Sequence, residues 1–290
     1  MKRYFVLHPA VFKLDGGAMF GIIPKPLWSK KISPDEDNRI EMALRVMLVQ
    51  TTHRNILIDT GIGDYHGEKF DDRFGVKGPK DPIITLLNTI NLTKDDITDV
   101  VLTHLHFDHV GGLHSNETNL IFPKATLHLH REHYQYSLNP TPRDAGSFQS
   151  EFFKPLIEKY QSLNKVNWLS GDEGIILKDG DDELNFKVSH GHTPHMIHPY
   201  DEKFIFMADL VPTSSHISLP WVMGYDIAAG TTTSDKEKFY EFIMKNELTM
   251  VFEHDPQYWG SKLTHQKDYQ PLDLRPGKAN DHQILELSFD

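Results

Sequence analysis

Thr103-His104-Leu105-His106-Phe107-Asp108-His109-Val110-Gly111-Gly112 is the stretch on which the reading of this chain turns. His104, His106, Asp108 and His109 can each bind a metal ion. Ile97 to Leu102, just ahead, is short, apolar and rich in β-branched residues, so it predicts a buried strand. Gly111-Gly112 lets the backbone turn tightly and approach a neighbour. The cluster is therefore expected on a loop leaving a strand end, where a rigid sheet can aim it. Side chains diverge along such a loop. His104 and His106 can face one point while Asp108 and His109 face another, which suits two adjacent ions better than one.

Histidine is 18 of 290 residues, so close pairs also arise by chance. The chain supplies its own control in His128-Leu-His130-Arg-Glu132-His133, which repeats the His-x-His-x-acid-His spacing. That copy joins a strand-like run, Ala125 to Leu129, to a helix-like one, Arg131 to Leu138, with no Gly-Gly turn. It is expected to hold structural histidines. Three more apolar runs close on a ligand-type residue. His192 follows Leu184 to Val188, Asp209 ends the run from Phe204, and His254 ends the run from Leu248.

This order of residues resembles the metallo-β-lactamase superfamily, from near Asp15 to near Pro256. The resemblance implies a four-layer αββα sandwich with the site on the rim between two sheets. It also implies that His104, His106 and His192 hold a first metal and Asp108, His109 and His254 a second. Asp209 would bridge the two, and Asp59, in Ile-Leu-Ile-Asp-Thr-Gly, would support from behind. Two divalent ions, with zinc the expected metal, would share a hydroxide that attacks a lactone or ester carbonyl. Asp108 and Asp209 are thereby expected at the catalytic centre.

The stretches Asp15 to Lys31 and Asp209 to Asp226 resemble the quorum-quenching lactonase branch, which opens N-acyl-homoserine lactones and accepts aryl esters. Met19, Phe20, Trp28, Phe107, Leu219, Trp221 and Met223 would wall an acyl pocket, although residue type alone favours core packing for Met19, Phe20 and Trp28. Tyr225 or His216 is expected to assist the leaving oxygen. There is one departure. The lactonase pattern reads Gly-His-Thr-x-Gly-His, and this chain reads Gly191-His192-Thr193-Pro194-His195-Met196.

The alternatives are phosphoester or phosphotriester hydrolysis by the same ion pair, and a single-iron persulfide dioxygenase using only His104, His192 and Asp209. Retention of Asp108, His109 and His254 argues against the second. A net charge of −11 weighs against a nucleic-acid enzyme. The absence of cysteine excludes disulfides and thiolate ligands. Pro9 interrupts the start too early for a signal peptide, and no run is apolar enough for a membrane span. A single cytoplasmic domain over 1–290, acting on a small ester or lactone, is expected; a homodimer is left open.

Further strands are expected at Tyr4 to Leu7, Ile40 to Val49, Asn55 to Ile58 and Ile284 to Phe289, with a hairpin of Ile175 to Leu177 and Leu184 to Val188. Helices are expected from Asp81, over Ser147 to Leu163, and over Ser234 to Asn246 with Ser234 as cap. Asp15 to Trp28 reads as a hairpin and its exit, and residues 260 to 282 as a loosely ordered tail.

Overall fold

A computed structural model describes residues 2–114, 120–279 and 282–289. Its strands are β1 (Arg3–Asp15), β2 (Arg39–Gln50), β3 (Asn55–Ile58), β4 (Asp99–Val101), β5 (Thr126–His130), β6 (Val166–Leu169), β7 (Glu173–Asp179), β8 (Asp182–Ser189), β9 (Met196–Tyr200), β10 (Phe204–Phe206), β11 (Thr249–Val251), β12 (Tyr258–Ser261), β13 (Leu263–His265), β14 (Tyr269–Pro271), β15 (Arg275–Pro276) and β16 (Ile284–Glu286). Its helices are α1 (Gly16–Phe20), α2 (Lys25–Trp28), α3 (Glu68–Phe74), α4 (Pro82–Thr89), α5 (Phe107–Val110), α6 (Arg131–Leu138), α7 (Ser150–Ser162) and α8 (Ala229–Lys245).

One sheet runs β16-β1-β2-β3-β4-β5-β6 and the other β15-β12-β11-β10-β9-β8-β7. Strand alternation sorts the apolar residues into layers. In β1 and β2, Phe5, Leu7, Val46 and Leu48 pack with Ile83, Leu86 and Leu87 of α4 and with Phe153, Ile157 and Tyr160 of α7. Their neighbours Tyr4, Val6, Met47 and Val49 face Phe186, Ile197 and Ile205 of the second sheet, whose cluster extends to Phe239, Tyr240 and Ile243 of α8. Helices thus cover the outer faces of two facing sheets, the expected αββα sandwich.

In the first sheet β3 to β6 are mutually parallel, so their C-terminal ends lie along one rim. β10 and β11 of the second sheet are also parallel. Backbone bonds stitch the two rims together. Ala43 N–H donates to His254 O at 3.1 Å, Arg45 N–H to Glu253 O at 3.2 Å, and Ile197 N–H to Thr103 O at 3.0 Å. Arg45, buried in this seam, donates to His8 Nε2 at 3.0 Å, Phe252 O at 3.1 Å and Gly277 O at 2.7 Å.

Several expectations are corrected. Asp15 to Trp28 is not a hairpin exit but two short helices: the Asp15 carboxylate accepts the Ala18 N–H at 2.8 Å and starts α1, and α2 follows Pro24 with Pro26 in its first turn. Helix α8 begins at Ala229, so Ser234 lies inside it, and the Ser234 hydroxyl donates to Gly230 O at 3.3 Å instead of capping. The tail is largely structured: β12 to β15 fall between 258 and 276, while residues 280 and 281 lie outside the described residues. No helix among the described residues is long and apolar enough to cross a membrane.

Candidate metal centre

Sheet one delivers its ligand-type residues on the segment that leaves β4. His104 and His106 sit on the loop, and Asp108 and His109 on the single turn of α5. The turn is held against the segment after β3, where Thr60 N–H donates to His109 O at 2.8 Å and Gly112 N–H to Gly61 O at 3.1 Å. The approach is too close for a side chain: a Cβ on Gly112 would lie 2.0 Å from Thr60 O, and one on Gly111 2.1 Å from Ile62 O. Sheet two delivers His192 after β8, Asp209 in a 3-10 turn after β10, and His254 after β11.

All seven residues meet. His104, His106, His192 and Asp209 form one buried group whose ligand atoms lie within 4.8 Å of one another, and Asp108, His109 and His254 form a second. Asp209 joins them. Its Oδ2 is 3.1 Å from His192 Nε2, 4.0 Å from His104 Nε2 and 3.6 Å from His109 Nε2, and its Oδ1 is 3.0 Å from His254 Nε2. Asp108 Oδ2 lies 3.7 Å from both His109 Nε2 and His254 Nε2.

Four of the five imidazoles, those of His104, His109, His192 and His254, are oriented from behind. His104 Nδ1–H donates to Thr103 Oγ1 at 3.0 Å, and Thr103 Oγ1 donates to Asp59 Oδ2 at 2.6 Å. His254 Nδ1–H donates to Ala43 O at 2.7 Å. His192 Nδ1–H donates to Asp226 Oδ1 at 2.9 Å. His109 Nδ1 faces two carboxylates, Asp59 Oδ2 and Glu253 Oε2, each at 3.1 Å. These contacts leave the Nε2 atoms of His104, His109, His192 and His254 pointing into the cluster. Asp226 and Glu253 escaped sequence reasoning. Asp226 lies on a long loop with nothing to mark it, whereas Glu253, an acid beside His254 at an apolar strand end, gave a usable signal.

The residues fit a pair of transition-metal ions. His109 Nε2, Asp209 Oδ1 and His254 Nε2 are buried without a hydrogen-bond partner among the described residues, as donor atoms awaiting an ion are. Imidazole and carboxylate without thiolate is a zinc-type donor set. Electrostatics divide the imidazoles. Burial and neighbouring imidazoles push His104 and His106 well below the usual range. Against the opposing effect of burial, the Asp209 carboxylate holds His192 up to about 10 and His254 up to about 9. Burial, reinforced by Asp59, pushes the Glu253 carboxyl up to about 8 against the pull of His109.

A cavity of about 250 Å³ opens onto His106, Asp108, His192, Asp209 and His254, walled by Leu14, Met19, Met42, Phe74, Phe107 and Met223, with Arg143 and Tyr225 at its polar side. Of the expected wall, Met19, Phe107 and Met223 line this cavity. Phe20 and Trp28 stack on each other at 5.3 Å behind it, Trp221 meets Phe20 edge-on at 5.7 Å, and Leu219 packs on the second-sheet core. Tyr225 lies in the lining, its phenol pushed up to about 12 by burial and by Asp15 and Asp108. His216 stands apart from it. It is stacked on Phe20 at 4.8 Å, and its nitrogens are engaged by Thr213 Oγ1 and Met19 O, each at 2.8 Å. Lys236 of α8, fully buried, donates to His216 O at 2.6 Å, Ser218 O at 2.7 Å and Trp221 O at 3.1 Å, and so ties down the loop that follows Asp209.

The second histidine cluster is structural in its contacts. His128 Nε2 pairs with Asp99 at 2.8 Å, and His130 Nε2 donates to Gly171 O at 3.0 Å. At the position where the lactonase pattern has glycine, His195 takes a left-handed conformation, φ +59°, so the turn survives without the glycine. If His192 holds a metal, Asp226→Ala should weaken metal affinity by about 10- to 100-fold, as loss of a ligand's outer partner does. Competition against a chromogenic chelator measures this, and unchanged affinity would remove Asp226 from the site.

A family model described as the metallo-β-lactamase superfamily matches residues 45–261. The N-acyl homoserine lactonase AttM of Agrobacterium fabrum is 27% identical over 170 residues, which is 57% of this chain and 61% of that protein, less than two thirds of its length. A probable metal-dependent hydrolase from Staphylococcus aureus superposes with a TM-score of 0.81 at 28% identity, over 94% of this chain and 97% of that one. The dizinc quorum-quenching lactonase AidC, solved with the product N-hexanoyl-L-homoserine, superposes with a TM-score of 0.72 at 19% identity, over 93% and 94% of the two chains.

Proposed function

The chain belongs to the metallo-β-lactamase superfamily, and from that premise we propose that it is a dinuclear metal-dependent hydrolase opening a small lactone or ester, with N-acyl-homoserine lactones the leading candidates. The observation that carries the reading is Asp209, which reaches both ligand groups, His192 through Oδ2 at 3.1 Å and His254 through Oδ1 at 3.0 Å. His104, His106 and His192 would hold one ion, Asp108, His109 and His254 the other, and Asp209 both. Zinc-type ions bound there would acidify water to a pKa near 7 and polarise the carbonyl oxygen.

The chain's own residues do the rest. Thr103, Ala43, Asp226 and the Asp59–Glu253 pair fix the imidazole tautomers and rings, so little reorganisation remains when charge develops. Met19, Phe107 and Met223 give an acyl chain an apolar wall. Tyr225, kept protonated by its raised pKa, can donate its O–H to the oxygen that leaves the carbonyl. His216 has no free nitrogen for that task. Because both sheets supply ligands, we read 1–290 as one working unit.

The test is elemental analysis of protein purified without chelators or added metal, followed by a panel of lactones, aryl esters and aryl phosphotriesters. Two transition-metal ions per chain with lactone or ester turnover support the reading. Phosphotriester turnover alone would redirect it to phosphoryl chemistry, and a single iron retained in His254→Ala would overturn the dinuclear site. Tyr225→Phe should lower kcat by about tenfold, the worth of one hydrogen bond to the leaving oxygen, with metal content unchanged. Equal kcat in the two proteins would remove Tyr225 from the reaction.

A further inference from the structure

His133 takes no part in the chemistry above, yet it is fully buried and lies between the two loops that bring His104, His106 and His192 together. Its Nε2 accepts the Leu105 backbone N–H at 2.8 Å. Its Nδ1–H donates to the Pro194 carbonyl at 2.8 Å. Leu105 separates His104 from His106, and Pro194 lies two residues beyond His192. One imidazole therefore ties the loop of the first sheet to the loop of the second, at the backbone beside three ligand-type side chains.

The tie has a defined chemical state. Only the neutral ring protonated on Nδ1 can accept from Leu105 and donate to Pro194 at once. Burial, offset only in part by the Pro194 carbonyl, holds the ring's pKa down to about 3, so it remains neutral. The loop it holds is the one that makes its turn with His195 at φ +59° rather than with glycine. A non-glycine residue in that conformation persists only where its surroundings hold it.

We propose that His133 is a positioning residue. By bridging Leu105 N–H and Pro194 O it sets the separation between the His104–His106 pair and His192, and through it the affinity and coordination of the metal they share. The inference rests on the metal-centre reading given above. It also gives a role to the second His-x-His-x-acid-His segment, whose last histidine acts on the first segment from outside.

The experiment is competition binding of Co²⁺, visible through its d–d absorption, to the full chain and to His133→Gln, His133→Glu and His133→Phe. Glutamine presents an oxygen to Leu105 N–H and an NH₂ to Pro194 O. Glutamate keeps the acceptor but sets an oxygen against Pro194 O, and phenylalanine keeps the ring and loses both bonds. His133→Gln should bind Co²⁺ with wild-type affinity and spectrum, whereas His133→Glu and His133→Phe should bind about 10- to 100-fold more weakly with altered visible absorption. Should His133→Phe not fold, the glutamine–glutamate pair decides. Wild-type affinity and spectrum in His133→Glu would overturn the proposal, and so would a His133→Gln protein that fails to fold or binds as weakly as His133→Glu. A wild-type chain that takes up no Co²⁺ would instead overturn the metal centre itself, a separate failure.

Discussion

Asp209→Asn should lower kcat/KM on the best lactone or ester substrate by about 10³-fold or more, because loss of roughly 4 kcal/mol of charge stabilisation at the reacting centre corresponds to that factor. Asp209 is the carboxylate within 4.0 Å of His104, His192, His109 and His254 together. Asparagine keeps its shape but not its charge, and its NH₂ would face imidazole nitrogens or an ion. Metal content per chain should fall in the same protein. Because Asp209 lies on a 3-10 turn at the rim rather than in a core layer, the circular dichroism spectrum should be unchanged. Steady-state kinetics with elemental analysis decide the matter. A variant within tenfold of wild type would place Asp209 outside the reaction and sink the two-ion mechanism.

Gly112→Ala should destabilise the fold by roughly 3 kcal/mol, the upper part of the range for forcing atoms into a packed site. The Cβ would stand 2.0 Å from Thr60 O, a backbone atom that cannot rotate away. Thr60 also receives the motif, through its N–H and Oγ1 to His109 O at 2.8 and 2.9 Å. The clash therefore pushes β3's exit and α5 apart and loosens the two bonds from Thr60 that hold His109 O. Gly146→Ala is the control: nothing lies within 4 Å of its Cβ, so its effect should stay within about 0.5 kcal/mol. Thermal unfolding of the two variants side by side measures the difference. Equal midpoints would mean that the close approach carries no energetic weight.

The sandwich, and the ligand-type residues that meet at its rim, are legible because they rest on local signals. Short β-branched runs closing on His or Asp mark strand ends, and β3 and α6 take the expected bounds, Asn55–Ile58 and Arg131–Leu138. What stayed hidden depends on contacts between distant parts of the chain. Asp226 is defined by its bond to His192, and Arg45 by carbonyls of Phe252 and Gly277. His216 looked available in the sequence because its partners, Thr213 and Met19 O, cannot be read from composition. The α1–α2 segment departs from its sequence pattern for a related reason. Glycines and prolines suggest turns, but a capping bond from Asp15 starts α1, and Pro26 is accommodated in the first turn of α2.

The stitching of the two rims also has a consequence in time. The pocket that would grip metal is closed by His254, whose backbone and ring are both bonded to Ala43. A ribosome emitting about 5–20 residues per second takes on the order of ten seconds to travel from His109 to His254. Throughout that interval the first four ligand-type residues lack the full set of three that completes them, because His192 and Asp209 are made on the way and His254 comes last. An ion met early finds only a partial, exchangeable set of ligands. Firm capture comes after translation of the second sheet, and nascent chains should lose metal to a weak chelator that the finished protein resists.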